Sequence, residues 1–285
     1  MSNTTTKVLA GCGVGCLLFV VAIAGLGWMG YRWARTAVEV VENAERTERR
    51  LEADFGSTRD YRPPIGGRPA EDRLQAFVVV RERTAEQRRA LAESVESMAP
   101  AEGEGRVIGG LRAAKAGIDM APRILELINA RNEALLEVGM GIGEYTWIYW
   151  LAFHAWLGHP TGDSLFDEIM EVRSASEGSV RMHIDGMDPE ELTRELRLDI
   201  EAMLRSLEEG LAAEPERIEL KKLVTAELEA MAADRKRMPW QEGLPEEFTA
   251  GLGPYRNRLE ETYSTATNPF ELLEIDAGPH SLTVE

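Results

Sequence analysis

Hydrophobic and polar positions follow a helical rhythm along almost the whole chain. Residues 8–31 (VLAGCGVGCLLFVVAIAGLGWMGY) carry no charge at all between Lys7 and Arg32. A helix of that length rises roughly 36 Å, more than the ~30 Å hydrocarbon core of a bilayer, so the run predicts a membrane span. Residues 34–55 read as a charged helix continuing outward as a stalk. Residues 56–69 (GSTRDYRPPIGGRP) are punctuated by Pro63-Pro64 and Gly66-Gly67 and predict a linker. Helix resumes over 70–98, with Leu74, Phe77, Val78, Leu91 and Val95 on one side, and 100–105 is a loop.

The clearest periodicity comes next. Over 107–140, Leu111, Ala114, Ile118, Ala121, Leu125, Ile128, Asn132 and Leu135 alternate three and four apart, which keeps one seam on a helix. Pro122 should kink it. Asn132 on that seam reads as a core asparagine satisfied by a neighbour, the alternative being a residue that fixes register or binds something. Farther on, Asp188-Pro189-Glu190-Glu191 supplies an N-cap acid, a proline preset for the first turn and a glutamate placed for a capping box. The stripe Leu192, Leu196, Ile200, Met203, Leu207 and Leu211 follows. After a break at 213–215, Leu220, Leu223, Val224, Leu228 and Met231 form a second stripe, so the pair predicts an antiparallel helical hairpin. One more helix is expected over 245–265. No strand alternation and no repeat of fixed period interrupts this pattern.

The expected fold class is therefore all-α: a single N-terminal transmembrane helix followed by a multi-helix bundle. Residues 1–33 form the tail and anchor, 34–69 the helical stalk and linker, and 70–285 an acidic helical domain.

The N-terminal run admits three readings. Trp28, Tyr31 and Trp33 beside Arg32 and Arg35 make the aromatic and cationic belt of a helix leaving the membrane, which favours a permanent signal anchor. A cleaved signal peptide could use Ala22-Ile23-Ala24, but the apolar stretch continues to Gly30 and only Lys7 precedes it. Leu9-Ala10-Gly11-Cys12 resembles a lipobox, yet it lies before the hydrophobic region rather than after it, which rejects a lipoprotein. A count of basic residues would keep the domain in the cytoplasm, whereas the short tail favours export. The expectation is a single-pass cell-membrane protein with its domain outside the cytoplasm. Cys12 and Cys16, the only cysteines, both lie within the span, so the domain has no disulfide. Gly11 and Gly15 form a GxxxG pair that would let two anchors approach, although small residues are common in membrane spans.

With 49 acidic against 32 basic residues, the net charge of −17 argues against nucleic acid and against lying on an anionic lipid surface. The most unusual soluble segment is 140–159 (MGIGEYTWIYWLAFHAWLGH), whose aromatic residues surround the helix rather than striping it. Nearly every face must then be covered, which reads as a central helix wrapped by the others. Glu144 and His154 leave too short an apolar stretch for a second crossing. The functional alternative is a binding surface in which Tyr145, Trp147, Trp150 or Trp156 meets an apolar ligand or a partner helix.

Catalytic and metal signatures are missing from the sequence. His154, His159, His183 and His280 have no glutamate three residues before them and there is no HExxH, so di-iron and zincin ligand sets are lacking. His183 and Asp185 lie in a Gly-containing loop and read as turn residues rather than metal ligands. No GxSxG or GxxxxGK[ST] occurs, and the GxGxxG spacing at Gly25, Gly27 and Gly30 lies inside the uncharged run. Glu144 beside the aromatic wall could act as an acid, but near a helix start it reads as a dipole partner. No catalytic, cofactor or metal residue is therefore expected, and the protein is not expected to be an enzyme.

The stretches GEYTWIYWLAFHAWLGH and PYRNRLEETYSTATNPFELLE resemble a group of uncharacterised bacterial proteins with an N-terminal anchor and a helical domain. The resemblance spans most of the soluble part through these two motifs, implies a bacterial envelope setting and brings no activity with it. The expected role is interaction: a membrane-anchored protein that binds other macromolecules, including other envelope proteins or a second copy of itself. The alternative is binding of an apolar small molecule or lipid beside the aromatic helix.

Overall fold

The computed structural model describes residues 41–97, 106–161 and 189–274, and every regular element among them is helical. The chain divides into two units, Met1–Asn43 and Ala44–Glu285. The anchor at 8–31, with Gly11 and Gly15, lies outside the described residues, as do His183, Asp185 and the Asp188 cap. Among the described residues no helix is long and apolar enough to cross a membrane.

Within the second unit, α1 covers residues 44–55 and leads into a short 3₁₀ turn, Thr58–Asp60. Helices α2 (Glu71–Arg83), α3 (Ala85–Glu96) and α4 (Arg106–Val138) follow, and α4 packs against both of its predecessors. Next come the aromatic helix α5 (Ile142–Tyr149) with its π-helical extension Trp150–Trp156, and then α6 (Pro189–Leu211), α7 (Ile218–Ala233) and α8 (Arg256–Thr262).

The expected stalk and linker are packed into the domain. Ala44 and Leu51 are buried, and Leu51 belongs to the core shared by α2, α4 and α5. In the proline- and glycine-rich segment, Thr58, Pro63, Gly67 and Pro69 are buried. Gly67 takes φ +70°, and a β-carbon there would lie 2.1 Å from the Phe248 ring, so only glycine fits. Its carbonyl accepts the Trp147 Nε1–H bond at 3.0 Å. Gly143 plays the reciprocal part on α5, since a β-carbon there would lie 2.9 Å from the Thr58 carbonyl oxygen. Residues 57–69 are thus a strap over the aromatic helix, and the compact unit begins at Ala44 rather than at residue 70.

The helix expected over 70–98 is broken at Thr84. Its hydroxyl donates to the carbonyls of Val80 at 3.1 Å and Arg81 at 3.3 Å, competing with the helix ladder there. Helix α4 is continuous through Pro122. Of its expected seam, Ile128, Asn132 and Leu135 are buried and Leu125 is half-buried. The side chains of Leu111, Ala114, Ile118 and Ala121 fall outside the described residues.

The hairpin is as the two stripes require. Ile200, Met203, Leu204, Leu207 and Leu211 of α6 meet Leu220, Val224, Leu228 and Met231 of α7 in one cluster with Trp147, Trp150, Leu151 and Ala155. Pairing of Arg197 with the Met231 carbonyl and of Glu208 with Thr225 sets the antiparallel register. The single helix expected over 245–265 is instead one turn at Glu246–Thr249, a 3₁₀ turn at Gly253–Tyr255 and α8. Gly251 at φ +99° and the following Gly253-Pro254 interrupt the ladder.

Candidate functional site

The aromatic helix lies at the junction of the two larger core clusters. Residues Tyr145, Tyr149 and Phe153 recur every four positions and turn to one side, where Phe77 of α2 lies 5.1 Å from Tyr145 and 6.0 Å from Phe153 between ring centroids. Trp147, Trp150, Leu151 and Ala155 turn to the hairpin. The seven residues Trp150–Trp156 form a π-helix, with Leu157 N–H reaching back five residues to the Ala152 carbonyl at 3.1 Å. Such segments are uncommon. His154 lies within this one. Its Nδ1 bonds the His159 carbonyl at 2.9 Å, which fixes the imidazole between Trp150 and Tyr149. Burial pushes its pKa down to about 4, so it is neutral at ordinary pH.

The first side of the helix opens onto a buried ionic centre. Arg81, Arg88 and Arg131 are 0%, 5% and 1% exposed, and the carboxylate among them, Glu271, is 1% exposed. Arg81 Nη1 lies 2.6 Å from Glu271 Oε2 and also donates to the Tyr145 hydroxyl at 3.1 Å. Arg88 Nε lies 3.7 Å from Glu271 Oε1, which accepts the Thr267 hydroxyl at 3.1 Å. Arg131 donates to the Glu271 backbone carbonyl at 2.9 Å and, through two nitrogens, to Asn132 Oδ1. Arg81 and Arg88 both donate to the carbonyl of Thr262, the last residue of α8, and Arg88 also caps the Arg81 carbonyl left open at the Thr84 break.

Electrostatics follow from this packing. Burial opposes the Arg81 charge, but Glu271 and the tyrosine oxygens outweigh it and raise its pKa. For Arg88, burial and then repulsion from Arg81 lower the pKa. Burial drives both Tyr145 and Tyr149 upward, so their hydroxyls stay protonated as donors. Tyr149 gives its proton to Asn268 Oδ1 at 2.7 Å. The evident work of the centre is to fix residues 262–274 against α2, α3 and α4.

The residues singled out from sequence separate into two groups. Tyr145, Trp147 and Trp150 are at most 1% exposed, so they are interior residues rather than a contact surface. Trp156 is half-buried, with the Arg256 guanidinium 4.4 Å from its ring centroid. Glu144 is held by Arg73 through both oxygens, at 2.8 and 2.7 Å, a bidentate pair at the start of α5 rather than a free acid. Asn132 is buried, and its oxygen is satisfied by its own neighbour Arg131. Among the described residues no group of three histidine, cysteine or acidic side chains is placed to hold a metal ion.

The ionic centre itself was missed by the sequence reading, although α2 and α3 carried a signal. Between Val78 and Leu91, the apolar side of the helix pair continues through Arg81, Thr84 and Arg88 at helical spacing. Arginines on an apolar face need a buried acceptor, and Glu271 within FELLE was the available acid.

Comparison with protein-family models, curated proteins and solved structures found no match. The two motifs that resemble bacterial anchored proteins therefore add nothing to what the geometry itself supports.

Proposed function

We propose that this chain is a membrane-anchored, single-pass envelope protein whose acidic helical domain lies outside the cytoplasm and acts by binding other macromolecules. The uncharged run at 8–31 with its aromatic and arginine exit carries the location. The interaction reading is supported by where the aromatic residues sit. Trp147 and Trp150 are covered by the strap and the hairpin, so among the described residues these two rings present no open wall to a lipid or an apolar small molecule. The protein would therefore meet its partners through its outer surface, and the anchor would raise their effective concentration at the membrane. Large apolar groups available there include Ile65 at 42% and Ile218 at 56% exposed, with Ile65 at an open depression lined by Pro63, Leu207 and Gly210. We propose an interaction role rather than an enzymatic one because the sequence carries no HExxH, GxSxG or GxxxxGK[ST] motif.

Crosslinking of the full chain in intact membranes, followed by mass spectrometry of what is captured and of the mature N-terminus, tests this reading. The expected result is an uncleaved N-terminus in the membrane fraction and a defined set of protein partners whose capture falls with Ile65→Glu. A chain beginning near Gly25 in the soluble fraction would overturn the anchor. A tightly bound lipid with no protein partner would overturn the interaction role.

A further inference from the structure

Where the strap crosses the tip of the α6–α7 hairpin, the domain carries an apolar face that its own described residues leave uncovered. A β-carbon on Gly210 would lie 3.8 Å from Ile65 Cγ1, and one on Gly66 would lie 3.1 Å from Arg217 Nη1, so strap and tip form one surface. Two of the four exposed large hydrophobic residues among the described ones, Ile65 and Ile218, belong to it. Beside Ile65 a depression of about 310 Å³ is bordered by Arg62, Pro63, Leu207, Glu209 and Gly210. Ala212, Ala213 and Pro215 are exposed on the adjoining turn. The charges around this face are left open. Elsewhere the domain pairs its surface arginines, as in Arg59 with Asp199 and Arg258 with Glu82. Arg62 and Arg217 form no ion pair among the described residues, and neither do Glu209, Glu214 and Glu216. Arg62 lies near Asp60, but that carboxylate is taken by Ser57. The side chains of Glu214 and Glu216 approach closely enough to share a hydrogen bond, which raises the Glu214 pKa while Arg217 nearby opposes the shift.

We propose that this face joins two copies of the chain in a two-fold dimer, in which Ile218 of each copy enters the other's depression beside Ile65, and Arg62 and Arg217 of each meet Glu209, Glu214 and Glu216 of the other. The choice of occupant follows from charge. A face that carries unpaired groups of both signs around an apolar centre is complementary to its own two-fold image, because residue i then meets j while j meets i. A partner of one sign would satisfy half of it and repel the rest. The net charge of −17 repels a second copy at long range, but at physiological salt that field is screened beyond about 8 Å, whereas the facing groups are in contact. This inference rests on the interaction reading above and names a second copy as the partner at Ile65. Confinement to a membrane would raise the effective concentration of the two copies.

Sedimentation equilibrium of the full chain in density-matched detergent tests the dimer. The wild type should associate reversibly to a two-chain species, and Ile218→Glu should weaken its Kd by about tenfold or more. A chain with Arg62→Glu and Arg217→Glu, and another with Glu214→Lys and Glu216→Lys, should each be monomeric alone and should pair when mixed in equal amounts. Neither misfolding nor a contact between anchors produces that rescue. A dimer that survives every variant is made elsewhere and would overturn the proposal, as would a wild-type monomer or charge-reversed chains that fail to pair on mixing. If a monomeric wild type still captures a different protein in membranes through Ile65, the interaction reading stands without the dimer. If it captures none, both fall.

Discussion

The two sides of the aromatic helix are built from the same residue types and held by different forces. Toward α2 and the C-terminal segment, Tyr145 and Tyr149 present hydroxyls to Arg81 and Asn268, and Glu271 closes a network of buried charge. Toward the hairpin, Trp147 and Trp150 meet Ile200, Met203 and Val224, and a polar contact there, the Trp147 bond to Gly67, involves a neutral backbone group. Apolar packing is tolerant of shape so long as volume is conserved, whereas a charged network loses far more when one member is removed than when several are replaced together. The hairpin side should therefore tolerate volume-conserving substitutions, and the ionic side should fail at any single removal of a charged member.

The largest effects test that contrast directly. Glu271→Ala leaves Arg81 and Arg88 without their carboxylate and should cost about 3 to 5 kcal/mol. Adding Arg88→Met should recover part of the loss, read by denaturant melts. A double variant as unstable as the sum of its parts would show that no network exists. On the other side, Trp150→Ala should cost a similar ~3 to 5 kcal/mol through its cavity, as should Phe153→Ala at the junction, while Met203→Leu should cost less than about 1.5 kcal/mol.

A pH dependence of somewhat smaller size centres on His154. Its folded pKa, about 4, lies below its ordinary 6.5, so the unfolded chain binds the extra proton between those values. Stability from the neutral imidazole is complete above pH 6.5 and is lost as pH falls toward 4, by about 3 kcal/mol. Acid denaturation of the His154→Gln variant should show a shallower slope over that window, and an unchanged slope would place the titrating group elsewhere.

Much of the apolar side was legible in the sequence and the ionic side was not, for a physical reason. Stripes such as Ile200, Met203 and Leu207 declare their burial by period alone, because any apolar partner will serve. Arg81 and Arg88 are buried only because Glu271, far along the chain, completes them, and no local period encodes that pairing. The strap failed differently. Pro63-Pro64 and Gly66-Gly67 announce a break in the ladder correctly, but a break says nothing of whether the segment packs, and Gly67 is a glycine because Phe248 and Trp147 approach it.

Smaller effects complete the comparison. Tyr149→Phe should cost about 1 to 2 kcal/mol by leaving the Asn268 oxygen without its donor. Arg59→Ala removes a 2.7 Å ion pair to Asp199 on an arginine side chain that is 61% exposed, and should cost less than about 1 kcal/mol in equilibrium melts.

Hydrogen exchange of the full-length protein, held in a membrane mimic, tests most directly the claim that the aromatic helix is an interior wall rather than a binding groove. Amides of residues 145–155 should exchange only by global unfolding, with the highest protection in the domain, and protection should not change when lipid composition is varied. Exchange of that segment by local opening, slowed on addition of a particular lipid, would contradict the account and make the aromatic helix the binding site.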